Sequence, residues 1–167
     1  MKTLILTRHA KSDWGNLTMR DHERTLNVQG HASAIAIGKW LNTNGYHPQQ
    51  AISSDAMRCI ETWNLLNEEL PEIKKFSFHQ RLYLASSVTL YEAIKQARED
   101  IVLMVGHNPG ISELASELPS QIPDHPKFLQ YPTTATTILT FDIPDWSTPF
   151  MGQGTITDFI VPSDLTD

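Results

Sequence analysis

Residues Leu4–Trp14 read LILTRHAKSDW, and this stretch sets the expectation for the fold. Its short apolar run, Leu4 to Leu6, gives way at once to Arg8 and His9. A run without polar alternation is typical of a strand that helices cover on both faces. The strand is therefore predicted to place two nitrogen-rich side chains at one edge of a sheet.

Strand and helix patterns alternate along the rest of the chain. Further apolar runs predict strands at Ala51–Ser53, Phe76–Phe78, Ile101–Val105, Thr136–Asp142 and Thr155–Val161. Apolar residues at helical spacing predict four helices, marked by Ala34, Ile37 and Leu41, by Ala56 to Leu70, by Leu90 to Ala97, and by Ile111 to Leu118. This order predicts an α/β fold with a mostly parallel sheet between helices, which the last two strands make mixed. The segment 119–132, with prolines at 119, 123, 126 and 132, is predicted to be an irregular surface excursion near the site.

Composition limits the class of protein. The length of 167 residues predicts a single domain over residues 1–167. A formal charge of -6 argues against nucleic-acid or anionic-membrane partners, so an anionic substrate would need a local cationic pocket. Cys59 is the lone cysteine, which rules out an internal disulfide or a cysteine-rich zinc site. No run has signal-peptide or membrane-span length, which predicts a cytoplasmic location.

Polar residues follow three of the predicted strands. The first strand ends at Arg8 and His9, the second at Ser54 with Arg58 in the next helical turn, and the third at Gly106, His107 and Asn108. In open α/β sheets, ligands bind outside the carboxyl ends of the strands, so these residues are expected to converge. Each of them alone has an ordinary structural explanation, and only their convergence indicates a site.

Two arginines and two histidines at one sheet edge suit a phosphoryl group. The planar guanidinium matches phosphate oxygens and stays charged. A helix N-terminus adds free backbone N–H groups, and Ser54 is predicted to cap the second helix. Gly106 is expected to let the backbone approach a ligand closely.

The blocks TRHAKSDW, DHERTLNVQG, SSDAMRCIETW, VGHNPGISELASEL and YPTTATTILTFD resemble, in this order, the histidine phosphatase superfamily. They are most similar to its short SixA-like phosphohistidine phosphatases. The resemblance implies a three-layer α/β/α sandwich like that of phosphoglycerate mutase, with no cofactor and no metal. It implies that His9 is the nucleophile and that Arg8, Arg58 and His107 bind the phosphoryl oxygens, with Ser54 beside them. The supporting residues in the matching blocks are Arg24, Asn27, Gly30, Gly106 and Asn108.

One departure from the family concerns the proton donor. Members that hydrolyse phosphomonoesters carry a carboxylic acid after the middle helix, whereas this chain has QRLYLASSVTLYE there, without an acid before Glu92. General acid catalysis contributes about 10²–10⁴-fold, and an alkoxide is a poor leaving group without it. Imidazole leaves phosphorus more readily, so the chain is expected to act on phosphohistidine of a partner protein. Asp55 and Glu23 are possible substitute donors.

Two alternatives stay open at this point. One is a phosphatase of small phosphate esters or pyrophosphates, with a small phosphorylated molecule as partner. The other is a phosphate-binding module without turnover. No Cys-x5-Arg, Gly-x4-Gly-Lys or His-Glu-x-x-His pattern is present, which argues against a cysteine phosphatase, a P-loop enzyme and a zinc hydrolase of that type.

Overall fold

The computed structural model describes residues 1–166, so Asp167, the last residue of the predicted domain, lies outside the described residues. Six strands form one sheet: β1 (Lys2–Arg8), β2 (Gln50–Ser54), β3 (Lys75–His79), β4 (Ile101–Gly106), β5 (Thr136–Phe141) and β6 (Thr155–Ile160). Four α-helices accompany them: α1 (Val28–Thr43), α2 (Met57–Glu69), α3 (Ser87–Ile94) and α4 (Gly110–Glu117). Every predicted strand and helix is present.

The strand order is β3-β2-β4-β1-β5-β6. The first four strands in this order run parallel, while β5 is antiparallel to both β1 and β6. The predicted mostly parallel, mixed sheet is therefore confirmed. Parallel strands β1 and β4 lie at its centre, which explains why their sequences are continuously apolar.

Helices cover both faces of the sheet. Leu4, Leu6 and Met104 pack with buried residues of α3 and α4 on one face. Ile5 and Leu103 pack with buried residues of α1 and α2 on the other. Because successive strand residues point to opposite faces, a single apolar run serves both cores. This arrangement is the expected three-layer α/β/α sandwich.

The proline-containing segment 119–132 has no helix and no strand, as predicted, but it is not a simple surface excursion. Phe128 and Tyr131 are 1% and 0% exposed. The Tyr131 hydroxyl donates to the Leu6 carbonyl at 3.0 Å, next to Thr137 Oγ1 at 2.8 Å. The two buried rings anchor the segment over β1 and β5.

Among residues 1–166, none of the helices has both the length and the apolar character needed to cross a bilayer.

Candidate active site

The carboxyl ends of β1, β2 and β4 meet at one edge of the sheet. Arg8 is in register with Gly106, and Ser53 is in register with Val105. His9 follows directly, and its N–H donates to the Gly106 carbonyl at 3.0 Å. Pairing between parallel strands therefore fixes the position of His9 relative to the turn that carries His107.

The His9 ring is buried and held in one orientation. The residue is 7% exposed, and Nδ1 lies 2.7 Å from the Ala10 carbonyl oxygen. Burial, with further contributions from Arg58 and Arg8, lowers the pKa of His9 to about 3. The ring is consequently neutral at physiological pH, with Nδ1–H donated to the carbonyl and the lone pair on Nε2.

Arg8 is positioned by a backbone carbonyl in the proline-containing segment. Its Nη1 donates to the Tyr131 carbonyl at 3.1 Å, and Asn108 Nδ2 donates to the same oxygen at 3.0 Å. Tyr131 has φ 47°, a left-handed backbone conformation that is uncommon for a bulky residue. The chain beside Arg8 thus adopts an unfavourable backbone conformation and presents an acceptor at the site.

Arg58 is 2% exposed and is bound by Asp21 in two ways. Its Nη1 donates to the Asp21 backbone carbonyl at 2.7 Å, and Nη2 lies 3.1 Å from Asp21 Oδ2. The same carboxylate accepts from Arg24 Nε at 3.0 Å and from the Tyr83 hydroxyl. Although partial burial opposes it, donation by Tyr83, Arg24 and Arg58 lowers the pKa of Asp21 to about 2.

His107 lies opposite His9, with ring centroids 5.3 Å apart. Its Nδ1 is 3.4 Å from Arg58 Nη2, and its Nε2 is 2.8 Å from Ser54 Oγ. Burial, with further contributions from His9 and Arg58, lowers the pKa of His107 to about 3. His107 is therefore also neutral before a ligand binds.

These groups line one cavity of about 580 Å³, the central cavity. Six of the residues predicted from the sequence lie on its wall: Arg8, His9, Arg24, Arg58, His107 and Asn108.

Other predicted site residues lie off this wall. Ser54 is fully buried beneath His107, and it does not cap α2, whose N-cap residue is Ala56. A side chain at Gly106 would meet Ile111 and Leu90 in the core at 3.5 and 3.8 Å, so Gly106 does not serve close approach to a ligand. The predictions that Ser54 caps α2 and that Gly106 lets a ligand approach the backbone are therefore wrong, because β2 and β4 end below the wall of the cavity.

The two predicted proton donors also lie outside the central cavity. Asp55 Oδ1 is 2.7 Å from His22 Nε2, in an ion-pair position at the start of α2. Glu23 is exposed in a short 3-10 turn. Among residues 1–166, the carboxylate on the cavity wall is that of Asp21.

Asn27 and Gly30 support the site from the start of α1. Asn27 caps the helix by accepting from the Gly30 N–H at 2.8 Å. A Cβ at Gly30 would lie 2.1 Å from the Lys11 carbonyl oxygen, so only glycine allows α1 to pack this closely on the loop after β1.

Sequence reasoning missed Asp21, Tyr83, Trp14 and the Tyr131 carbonyl. Asp21 could have been found as a partner of Arg24, because residues three apart on one turn are neighbours. Trp14 lies on the cavity wall with the Arg24 guanidinium 3.4 Å from its ring centroid, a cation–π contact that spacing alone does not reveal. Within residues 1–166, no group of three or more His, Cys, Asp or Glu side chains is arranged to hold a metal ion.

Curated proteins with related sequences include two that are uncharacterized. A chloroplastic protein of Arabidopsis thaliana is 30% identical over 131 residues, which are 70% of this chain and 59% of that protein. A protein of Mycobacterium leprae is 34% identical over 116 residues, which are 66% of this chain and 70% of that protein. A 2,3-bisphosphoglycerate-dependent phosphoglycerate mutase of Neisseria meningitidis is 37% identical over 87 residues, only 38% of its length.

Solved structures match over almost the whole chain. A candidate phosphohistidine phosphatase SixA from Agrobacterium tumefaciens has a TM-score of 0.79 at 26% identity, covering 96% of this chain and 98% of that one. A protein histidine phosphatase SixA complexed with tungstate has a TM-score of 0.76 at 20% identity, covering 98% and 99%. A model of the histidine phosphatase superfamily (branch 1) matches residues 4–83, which include Arg8, His9 and Arg58. The chain belongs to the histidine phosphatase superfamily.

Proposed function

We propose that this chain is a phosphohistidine phosphatase that passes a phosphoryl group first to Nε2 of His9 and then to water. Membership of the superfamily supports phosphatase activity, and the environment of His9 is the observation that carries the finer proposal. Because the Ala10 carbonyl takes up Nδ1–H at 2.7 Å, the free lone pair of the neutral ring is on Nε2. The ring is thus a nucleophile without prior proton removal.

The cationic groups around His9 would bind the phosphoryl oxygens. Charge in phosphoryl transfer is spread over three equatorial oxygens, so positioned cations supply most of the catalysis. Arg8 and Arg58 provide guanidinium donors, and His107 provides a third donor. Each arginine has a buried Nε without a hydrogen-bond partner among residues 1–166, so part of its donor capacity is unused.

Ser54 is assigned a positioning role beneath His107. Its Oγ accepts from the Ala56 N–H at 3.1 Å and lies 2.8 Å from His107 Nε2. Because Arg58 Nη2, which can only donate, lies 3.4 Å from Nδ1, the neutral ring carries its proton on Nε2 and donates it to Ser54 Oγ. A bound phosphoryl anion would favour protonation of Nδ1, and the charged ring would then donate from Nδ1 to a phosphoryl oxygen.

The reaction has two displacements. In the first, the substrate phosphohistidine is protonated on its second ring nitrogen. The His9 Nε2 lone pair forms a bond to phosphorus while the bond to the leaving nitrogen breaks. That electron pair stays on the substrate ring, which leaves as neutral imidazole, and the phosphorylated His9 ring, which keeps Nδ1–H, carries the positive charge. In the second, water attacks the phosphorylated His9 and loses a proton to solvent. The P–Nε2 electron pair then returns to the ring, and inorganic phosphate leaves.

The carboxylate on the cavity wall supports phosphohistidine as the substrate. With its pKa near 2, Asp21 is ionised at neutral pH and cannot protonate a departing alkoxide. The Asp55 carboxylate is paired with His22, and Glu23 is exposed outside the central cavity. An imidazole leaving group needs no carboxylic acid of this kind, so the site suits a phosphoramidate bond better than an ester. The similarity to SixA structures over the whole chain agrees with this choice.

Trapping the phosphoryl group tests the proposal directly. Incubation with radiolabelled phosphoramidate should give a stoichiometric, acid-labile and alkali-stable adduct, located on His9 by mass spectrometry. H9Q should give no adduct and lose turnover by at least 10³-fold, whereas H31Q, at an exposed histidine of α1, should retain both. Turnover in H9Q close to that of the unmodified chain would remove His9 as the nucleophile.

Substrate choice needs a second measurement. The kcat/KM for a phosphorylated histidine-containing protein should exceed that for phosphomonoesters by about 10²–10⁴-fold, the usual contribution of a general acid. Efficient ester hydrolysis at neutral pH would instead support the small-ester alternative. A cytoplasmic location stays a prediction.

A further inference from the structure

A second groove, the lysine groove, opens beside the central cavity. It has a volume of about 160 Å³ and is lined by Lys11, Gln29, Ser33, Lys127, Thr133 and Ser163, together with apolar residues. Lys11, Gln29 and Thr133 also line the central cavity, so the two spaces share a wall.

The polar lining of the lysine groove consists of cations and neutral groups. Lys11 Nζ donates to Gln29 Oε1 at 3.2 Å, and Lys127 Nζ donates to Ser163 Oγ at 2.7 Å. Each ammonium thus has one neutral acceptor and two further donors, and neither lysine forms an ion pair with a carboxylate of residues 1–166. The nearby Asp164 carboxylate is engaged by His125 Nε2 at 3.0 Å and by the Val161 N–H at 3.1 Å.

Charge is distributed unevenly over the molecule. The chain carries 13 Lys and Arg against 19 Asp and Glu. The two adjoining cavities nevertheless hold five of these cations (Arg8, Arg24, Arg58, Lys11 and Lys127) and a single carboxylate, Asp21. A concave surface lined by one sign of charge concentrates the field and attracts ligands of the opposite sign.

In the proposed reaction, Arg8, Arg58 and His107 bind the phosphoryl oxygens. Neither Lys11 nor Lys127 is needed for that step. We infer that the lysine groove binds a second anionic group of the substrate, held beside the transferable phosphoryl group by Lys11 and Lys127. The group bound in the lysine groove would be a carboxylate or a second phosphoryl group. On a protein substrate it would be an acidic side chain next to the phosphohistidine. This assignment rests on the proposed function of the central cavity.

Non-hydrolysable phosphonates test the groove without requiring turnover. Phosphonoacetate and longer ω-phosphonocarboxylates are compared with alkylphosphonates of the same length by calorimetry at fixed ionic strength. At the chain length that reaches both sites, the carboxylate should tighten Kd by about two- to fivefold, the upper part of the range for accessible charge pairs. Methylenediphosphonate is measured alongside them. A gain with carboxylates indicates an acidic protein partner, and a gain confined to the diphosphonate indicates a small molecule with two phosphoryl groups.

Two variants make the test specific. K127Q should reduce the gain from the second anion to less than twofold, since Lys127 lines only the lysine groove. K39Q removes the same charge from an exposed position of α1 and should keep the full gain.

The possible failures are distinguishable. If alkylphosphonates bind but no second anion improves Kd at any length, or if K127Q keeps the gain, the groove assignment is wrong while the central cavity stands. If no phosphonate binds at all, the proposed function fails and the groove assignment fails with it.

Discussion

At the scale of single residues, the site depends on a balance between cations and one carboxylate. Asp21 neutralises part of the charge of Arg24 and Arg58, two guanidinium groups that would otherwise repel each other. Its carboxylate lies where it competes with an incoming phosphoryl group for Arg58 Nη2. Arg58 is also held by the backbone carbonyl of Asp21 at 2.7 Å, a bond that survives any change of side chain.

Replacing Asp21 by asparagine should therefore strengthen anion binding. D21N removes the competing charge but leaves Arg58 in place, so the Kd for inorganic phosphate or tungstate should fall by about two- to fivefold. Calorimetry at constant ionic strength measures this. D13N, which neutralises an exposed aspartate in the loop after β1, is the matched control and should change Kd less than twofold. Weaker binding in D21N would show that the carboxylate organises the arginines rather than competing for them.

At the scale of elements, the segment before β5 holds Arg8 and His9 in place through its backbone and adds Thr133 to the cavity wall. Tyr131 and Thr134 both have left-handed backbone angles, φ 47° and 64°. The Thr134 N–H lies 3.1 Å from the carbonyl oxygens of both Arg8 and His9. A β-branched residue in this region costs about 1–3 kcal/mol, and the buried Thr134 Oγ1 has no hydrogen-bond partner among residues 1–166.

T134G should accordingly stabilise the protein. Glycine removes the unfavourable angle and the unpaired hydroxyl while keeping the N–H that holds Arg8 and His9. Loss of the threonine methyl group offsets part of this stabilisation, so the free energy of unfolding should rise by about 1 kcal/mol. For a chain of this size, that increase should raise Tm by about 2–4 °C. The control, T136G, alters a threonine of β5 outside the left-handed positions and should lower Tm. A lower Tm in T134G would mean that packing of the threonine side chain outweighs the backbone strain.

At the scale of the whole molecule, buried histidines should make stability depend on pH. His9 and His107 have ordinary pKa values of 6.5 in the unfolded chain and about 3 in the folded protein. Between these values the unfolded chain binds protons that the folded protein does not, so the free energy of unfolding decreases as pH falls.

Each of these two histidines should remove roughly 2 kcal/mol of stability between pH 7 and pH 5. Urea titrations at the two pH values measure the loss. H9Q and H107Q should each reduce it by about half, whereas H47Q, at an exposed histidine, should leave it unchanged. An unchanged loss in H9Q and H107Q would place the acid sensitivity elsewhere in the molecule.

Much of this architecture follows from sequence patterns. Apolar periodicity predicted the order of strands and helices. A strand that is buried on both faces has a continuous apolar run, whereas a helix that is buried on one face has apolar residues at helical spacing. The convergence of Arg8, Arg58 and His107 follows from the geometry of parallel strands, whose carboxyl ends share one edge. Periodicity could not predict the place of Asp21 or the Tyr131 carbonyl. Both act through loop backbone and ion pairs whose geometry is set by packing between segments distant in the chain.

The position of β1 between β4 and β5 has a consequence for synthesis on the ribosome. Arg8 and His9 emerge well before their backbone partners Gly106, Thr134 and Ala135, which come much later in the chain. At about 5–20 residues per second, β1 waits several seconds for those neighbours. The site should therefore stay incomplete in a nascent chain until β5 has left the exit tunnel. Stalled chains lacking β5 should expose an unpaired apolar edge to chaperones.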